Sequence, residues 1–158
     1  MAVKVKTLSI DGREVGARED QSILEVAREN AEKAGLSERY SVLPGSAFEV
    51  EFGTGYDVVL LTNFLHHFSI EACEGLLEKI HAAMKPNGIV VTLEFIPNED
   101  RISPAVDAGF SMMMLASTPE GDAYTFTQLE SMFRNAGFSR SQLHQLLPLP
   151  QRVVLSNY

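Results

Sequence analysis

The stretch Tyr56 to Phe68, Y-D-V-V-L-L-T-N-F-L-H-H-F, constrains the fold more than any other part of this chain. It opens as a continuous run dominated by Val and Leu, too short for a helix pair, which predicts a strand buried on both faces. The run then ends in Asn63, His66 and His67, polar groups placed where a parallel strand delivers side chains to its carboxyl edge. Ser69 to Met84 follows, with Cys73, Leu76, Leu77, Ile80 and Met84 at the spacing of a helix that buries one face, and with Ser69 placed to cap it. Lys85-Pro86-Asn87-Gly88 reads as a turn, and Ile89 to Phe95 as a second strand. Strand, helix, turn and strand make a βαβ unit, and the expected fold class is α/β.

These segments, with G-I-V-V-T-L-E-F-I-P and Y-T-F-T-Q-L-E-S-M-F-R-N-A-G-F further on, resemble the C-terminal half of class I S-adenosylmethionine-dependent O-methyltransferases. More narrowly, they are similar to the small-molecule enzymes of the hydroxyindole, caffeate and polyketide type. The resemblance runs from about Ile23 to the end of the chain. It implies a Rossmann-like methyltransferase sheet, truncated at its start, with parallel strands near residues 40–45, 57–62 and 89–95. It also implies an antiparallel C-terminal strand pair, Leu143 to Leu147 and Arg152 to Ser156.

Composition bounds the rest. A chain of 158 residues with 45% hydrophobic content is expected to form a single domain over 1–158 with a substantial core. A net charge of -8 argues against nucleic acid or an anionic membrane surface as partner, since both repel an acidic protein. Cys73 is the only cysteine and falls on the apolar face of a helix, the position of a small buried filler rather than a reactive thiol. No signal peptide is apparent, and no apolar run approaches the roughly 20 residues of a membrane span. The expected location is a reducing cytoplasm.

Residues 3 to 17 read as a β-hairpin turning at Asp11-Gly12. Here the resemblance is a different one. V-K-T-L-S-I-D-G-R-E-V-G-A-R-E-D-Q-S-I-L-E-V-A-R-E, within about residues 1–28, is similar to the opening of the ferredoxin-like domain in the diaphorase subunit of NAD-linked hydrogenases. One cysteine cannot supply the four ligands of an iron–sulfur cluster, so that function is excluded. The expectation is a chimera in which the hairpin, residues 1–20, has a different origin and replaces the methyltransferase's first strands. Ser22 to Ala34 reads as the shared helix, with Ser22 and Glu25 in capping-box spacing and Gly35 as its stop. Tyr40 to Phe48 reads as a third strand running into a loop. Ser103-Pro104 opens a helix to about Ala116, apolar nearly all round, and Thr127 to Ala136 is a helix capped by Thr127 with Glu130. Met112 to Leu115 predicts a partly uncovered apolar surface and hence a homodimer.

Methyl transfer to a phenol needs a base at the hydroxyl and a carboxylate to hold that base. By resemblance, His66 in Leu65-His66-His67-Phe68 is the catalytic base and Glu94, at the end of the next strand, is its orienter. A second acid usual before the last capped helix is not apparent, with Ala123 or Tyr124 in its place. For S-adenosylmethionine, the resemblance puts Ser46, Ala47 and Phe48 at the adenine, Ser46 standing where an acid is usual, and Glu19 in register with the ribose-binding acid. No Gly-rich turn follows a strand; Gly53-Thr54-Gly55 precedes one and reads as a surface turn. No metal site is expected, since His67, His81 and His144 have no partners at ligand spacing.

Three functions stay open. The chain is a methyltransferase-like domain without an intact cofactor site, or an enzyme for small phenolic or polyketide-like acceptors completed by another chain, or a non-enzymatic interaction module. On the first, His66 is a remnant, and His66→Ala is expected to change stability by no more than about 1 kcal/mol.

Overall fold

The computed structural model describes the backbone of residues 5–10, 13–18 and 23–158, and side chains from residue 25 onward. The chain divides into two compact units, Met1–Gly45 and Ser46–Tyr158.

In the first unit, β1 (Val5–Ile10) and β2 (Arg13–Arg18) pair antiparallel with Ile10 opposite Arg13, which is the expected hairpin. Its turn residues Asp11 and Gly12, the cap Ser22 and the ribose candidate Glu19 lie outside the described residues. Helix α1 (Ile23–Lys33) ends at Gly35, which takes φ +69 as the left-handed stop while the Leu36 amide donates to the Ala31 carbonyl. The third strand expected from Tyr40 does not form. Pro44 carries no amide hydrogen and Gly45 turns to φ +134, so the segment cannot continue as a ladder.

The second unit opens at Ser46, whose carbonyl accepts from the amides of Glu49 and Val50 in a tight helical turn. Then come β3 (Tyr56–Thr62), α2 (Ile70–Ala83), β4 (Met84–Glu94), α3 (Ala105–Ser117), α4 (Phe126–Asn135), β5 (Arg140–Gln145) and β6 (Arg152–Asn157). The sheet order is β3-β4-β6-β5. The first pair is parallel and the other two antiparallel, so the βαβ unit and the C-terminal strand pair are as the sequence implies. Among the described strands the hairpin does not take the place of earlier strands in this sheet: β1 and β2 form a two-stranded sheet of their own, and β3 ends the order of the other.

The expected turn Lys85 to Gly88 is part of β4. Tyr56 pairs with Met84 and Val58 with Ile89, so β4 uses five steps where β3 uses two, a bulge in the parallel ladder. A Cβ on Gly88 would stand 3.0 Å from the Lys85 carbonyl oxygen and 3.1 Å from that of Tyr56, a tight fit to backbone that glycine relieves. Lys85 is carried outward by the bulge and donates to both carboxylate oxygens of Asp57 at 2.8 and 2.7 Å.

Ser69 caps α2 as expected, accepting from the Ala72 amide. For α3 the cap residue is Pro104 rather than Ser103. For α4 it is Thr125, in a capping box with Gln128, two residues before the expected Thr127 and Glu130. Both threonines offer a hydroxyl. The helix starts at Phe126 and buries Leu129, Met132 and Phe133, and the Thr127 amide, inside its first turn, donates to Glu99 Oε1 at 3.1 Å. These residues join Leu61, Leu65, Leu76, Leu77, Val90 and Val154 in one core. No helix among the described residues is long and apolar enough to cross a membrane.

Candidate active site

Parallel pairing brings the two strand ends together. Thr62 is in register with Leu93, and Asn63, at φ +50, still donates its amide to the Leu93 carbonyl at 2.8 Å. The chain then turns through a single 3-10 turn, Leu65–His67, beside the end of β4. Glu94 holds this turn by three bonds. Its Oε1 accepts from the amides of Phe64 at 2.8 Å and Leu65 at 2.9 Å, and its Oε2 is hydrogen-bonded to His66 Nδ1. A carboxylate at Nδ1 makes that nitrogen the donor and leaves Nε2 as the acceptor of the ring.

The pair is shielded from water, with His66 4% and Glu94 3% exposed. Phe110 of α3 meets the His66 ring edge-on at 4.8 Å and stacks on Phe95 at 4.2 Å. Burial and hydrogen bonding on this scale mean that His66 is held as part of the packed interior, so the expectation of a nearly neutral His66→Ala does not stand. Cys73 is buried beneath the turn, donating to the Leu65 carbonyl. Burial, with the charges of Glu94 and Glu74, pushes its thiol up to about 12, which suits a filler and not a nucleophile.

Among the acids near the last helix, Asp122 is engaged with Arg101 Nη2 at 2.5 Å and with Ser111, and Tyr124 donates its hydroxyl to the Phe68 carbonyl at 2.5 Å. Sequence reasoning missed Asp107. It is 1% exposed on α3, and burial raises its pKa against the opposing pull of Arg152 and of the Asp107 and Ile96 backbone amides. The signal was available: 107, 110 and 114 share one helix face, and an acid among Phe and Met there is anomalous.

Of the adenine candidates, Ser46 is exposed and accepts from the Phe48 amide at 3.3 Å, Ala47 is half-buried, and Phe48 packs on Phe68 at 4.8 Å. A cavity of about 410 Å³ adjoins β3, lined by Ala47, Phe52, Val59, Leu61, Phe64 and Ile80 among others. Its one hydroxyl, on Tyr56, is already donated to the Phe52 carbonyl. Of the described residues, those lining this cavity offer apolar surface and no free side-chain polar group. No group of three metal-ligating side chains occurs among them, and His81 instead stacks on Tyr158 at 4.1 Å.

A parallel pair ending in His and Glu, followed by a helix over the site and an antiparallel pair, is an arrangement shared with known proteins. The family model for the O-methyltransferase domain matches residues 21–139, and the chain belongs to that family. A solved structure from Nostoc punctiforme PCC 73102, assigned to the O-methyltransferases, is 55% identical with a TM-score of 0.83 over 86% of this chain and 42% of its own. PigF, solved with SAH, is 28% identical with a TM-score of 0.71 over 83% of this chain and 39% of its own. The L-tyrosine C(3)-methyltransferase of Streptomyces lavendulae is 33% identical over 108 residues, 68% of this chain and 30% of that protein. The chain thus spans less than half the length of these relatives.

Proposed function

We propose that this chain is a methyltransferase-like domain derived from a small-molecule O-methyltransferase, in which the proton-accepting group is kept and the cofactor site is not intact. The observation that carries the reading is the His66–Glu94 pair. With Nδ1 committed to Glu94, a phenolic hydroxyl brought to Nε2 gives its proton to the ring, and the oxygen keeps the electron pair. Glu94 then stabilises the imidazolium, and the dry surroundings strengthen that attraction. S-adenosylmethionine is the methyl donor the family implies, and when bound it would supply an electrophilic methyl group. Ser46, Ala47 and Phe48 are proposed for its adenine and Glu19 for its ribose. Losing two or three polar contacts at about 1.5–3 kcal/mol each moves a micromolar cofactor toward millimolar. We further propose that the first twenty residues are of separate origin.

The chain by itself is therefore expected to give no saturable heat with micromolar S-adenosylmethionine and no methylated product from phenolic acceptors. Methyl transfer abolished by His66→Ala would overturn the proposal. The position of β3 at the end of the sheet among the described strands and the apolar cavity against it favour a second reading, in which a strand from another polypeptide completes the sheet. Adding a strand–turn–helix segment of the Nostoc relative would then restore cofactor binding, and no gain on adding it would remove this reading.

A further inference from the structure

We infer that Gly121 and Tyr124, between α3 and α4, are positioning residues for His66: they hold the second half of its turn against Glu94. The inference rests on the reading of His66 as proton acceptor. Glu94 supports only the first half of the turn, through the amides of Phe64 and Leu65 and the His66 ring. The second half has other supports. Tyr124 donates its hydroxyl to the Phe68 carbonyl at 2.5 Å, and its ring closes the space beside His66 and Glu94 together with Phe95 and Leu129. Burial pushes the Tyr124 phenol up, so the hydroxyl remains a donor.

Gly121 acts by having no side chain. A Cβ there would stand 2.2 Å from the His66 carbonyl oxygen, 2.5 Å from Thr118 Oγ1 and 3.0 Å from the His67 carbonyl carbon. Thr118 can rotate away, but the backbone of His66 cannot move without turning its ring off Glu94. Nor can Gly121 readily retreat, because its amide donates to Thr118 Oγ1 at 2.8 Å and Thr118 donates to the Met114 carbonyl at 2.8 Å. The bare backbone of Gly121, against the His66 and His67 backbone, and the Tyr124 hydroxyl, on the Phe68 carbonyl, thus hold the half of the turn that Glu94 does not.

Nuclear magnetic resonance of the full chain tests this through the hydrogen-bonded Nδ1 proton of His66, which burial protects from exchange. Gly121→Ala is expected to lose that resonance while keeping native circular dichroism, and Thr118→Ala added to it is expected not to restore it. Tyr124→Phe, which removes one hydroxyl and keeps the ring, is expected to speed exchange of the proton about tenfold, the equivalent of one hydrogen bond. An unchanged resonance in Gly121→Ala and unchanged exchange in Tyr124→Phe would overturn the inference; should Gly121→Ala fail to fold, Tyr124→Phe decides alone. Restoration by Thr118→Ala would place the clash on Thr118 and overturn the part assigned to Gly121. Absence of the proton from the unsubstituted chain would remove the His66–Glu94 pair itself, a failure distinct from loss of positioning.

Discussion

Glu94 and His66 are unequal partners. Glu94 satisfies two backbone amides and an imidazole, whereas His66 has one hydrogen-bond partner on its ring. Removing the carboxylate leaves buried donors unpaired, so Glu94→Ala is expected to cost about 3–5 kcal/mol and His66→Ala about 2 kcal/mol, both read from urea denaturation. Equal costs would mean that the amide bonds contribute nothing. Asp107 points the other way. Its raised pKa means that the unfolded chain ionises this group at a lower pH than the folded one, so stability falls as pH rises from about 4 toward the folded value. Asp107→Asn is expected to raise stability at pH 7 by about 1 kcal/mol and to make no difference at pH 3, where both states are protonated. Thermal melts at the two pH values check the sign. Cys73 was legible as a filler from its place on a helical face. Its thiol is expected to react with maleimide at pH 8 only at the rate of global unfolding.

At the scale of elements, helix periods and the βαβ alternation were readable because they are local. What was not readable was which of two equivalent local signals is used. The run Y-T-F-T offers two caps three residues before a polar partner, Thr125 with Gln128 and Thr127 with Glu130, and in the fold the first is used while the Thr127 amide is taken by the distant Glu99. Thr125→Ala is therefore expected to cost about 1 kcal/mol and Thr127→Ala nearly nothing, measured as unfolding free energies. The same limit explains Lys85 to Gly88. Pro and Gly mark a break in a ladder, but a turn and a bulge carry the same residues, and the pairing of Val58 with Ile89 distinguishes them. Tyr40 to Phe48 has strand-like composition, yet a strand exists only where a partner completes its hydrogen bonds.

For the whole molecule, the outstanding feature of the second unit is apolar surface on α3 and the loop before it. Ile102, Val106, Met112, Met113 and Leu115 are exposed, Leu115 at 80%, as is Leu60 on the edge strand at 66%. Contiguous apolar surface of this kind favours self-association, and we propose a homodimer. Light scattering at roughly tens of micromolar is expected to report twice 17.4 kDa, and Met112→Lys with Leu115→Lys to return the monomer. A monomer without substitution would sink the idea. The sequence by itself determined the fold class, the helical faces and the presence of His66 and Glu94 at strand ends, because periodicity and composition act within a few residues, while the C-terminal strand pair was implied by the family resemblance. Only the tertiary structure decided that β3 ends the sheet among the described strands, that Asp107 is buried and that Gly121 lies against His66. Each of these depends on what distant segments of chain place beside the residue, and spacing along the sequence does not encode that neighbourhood.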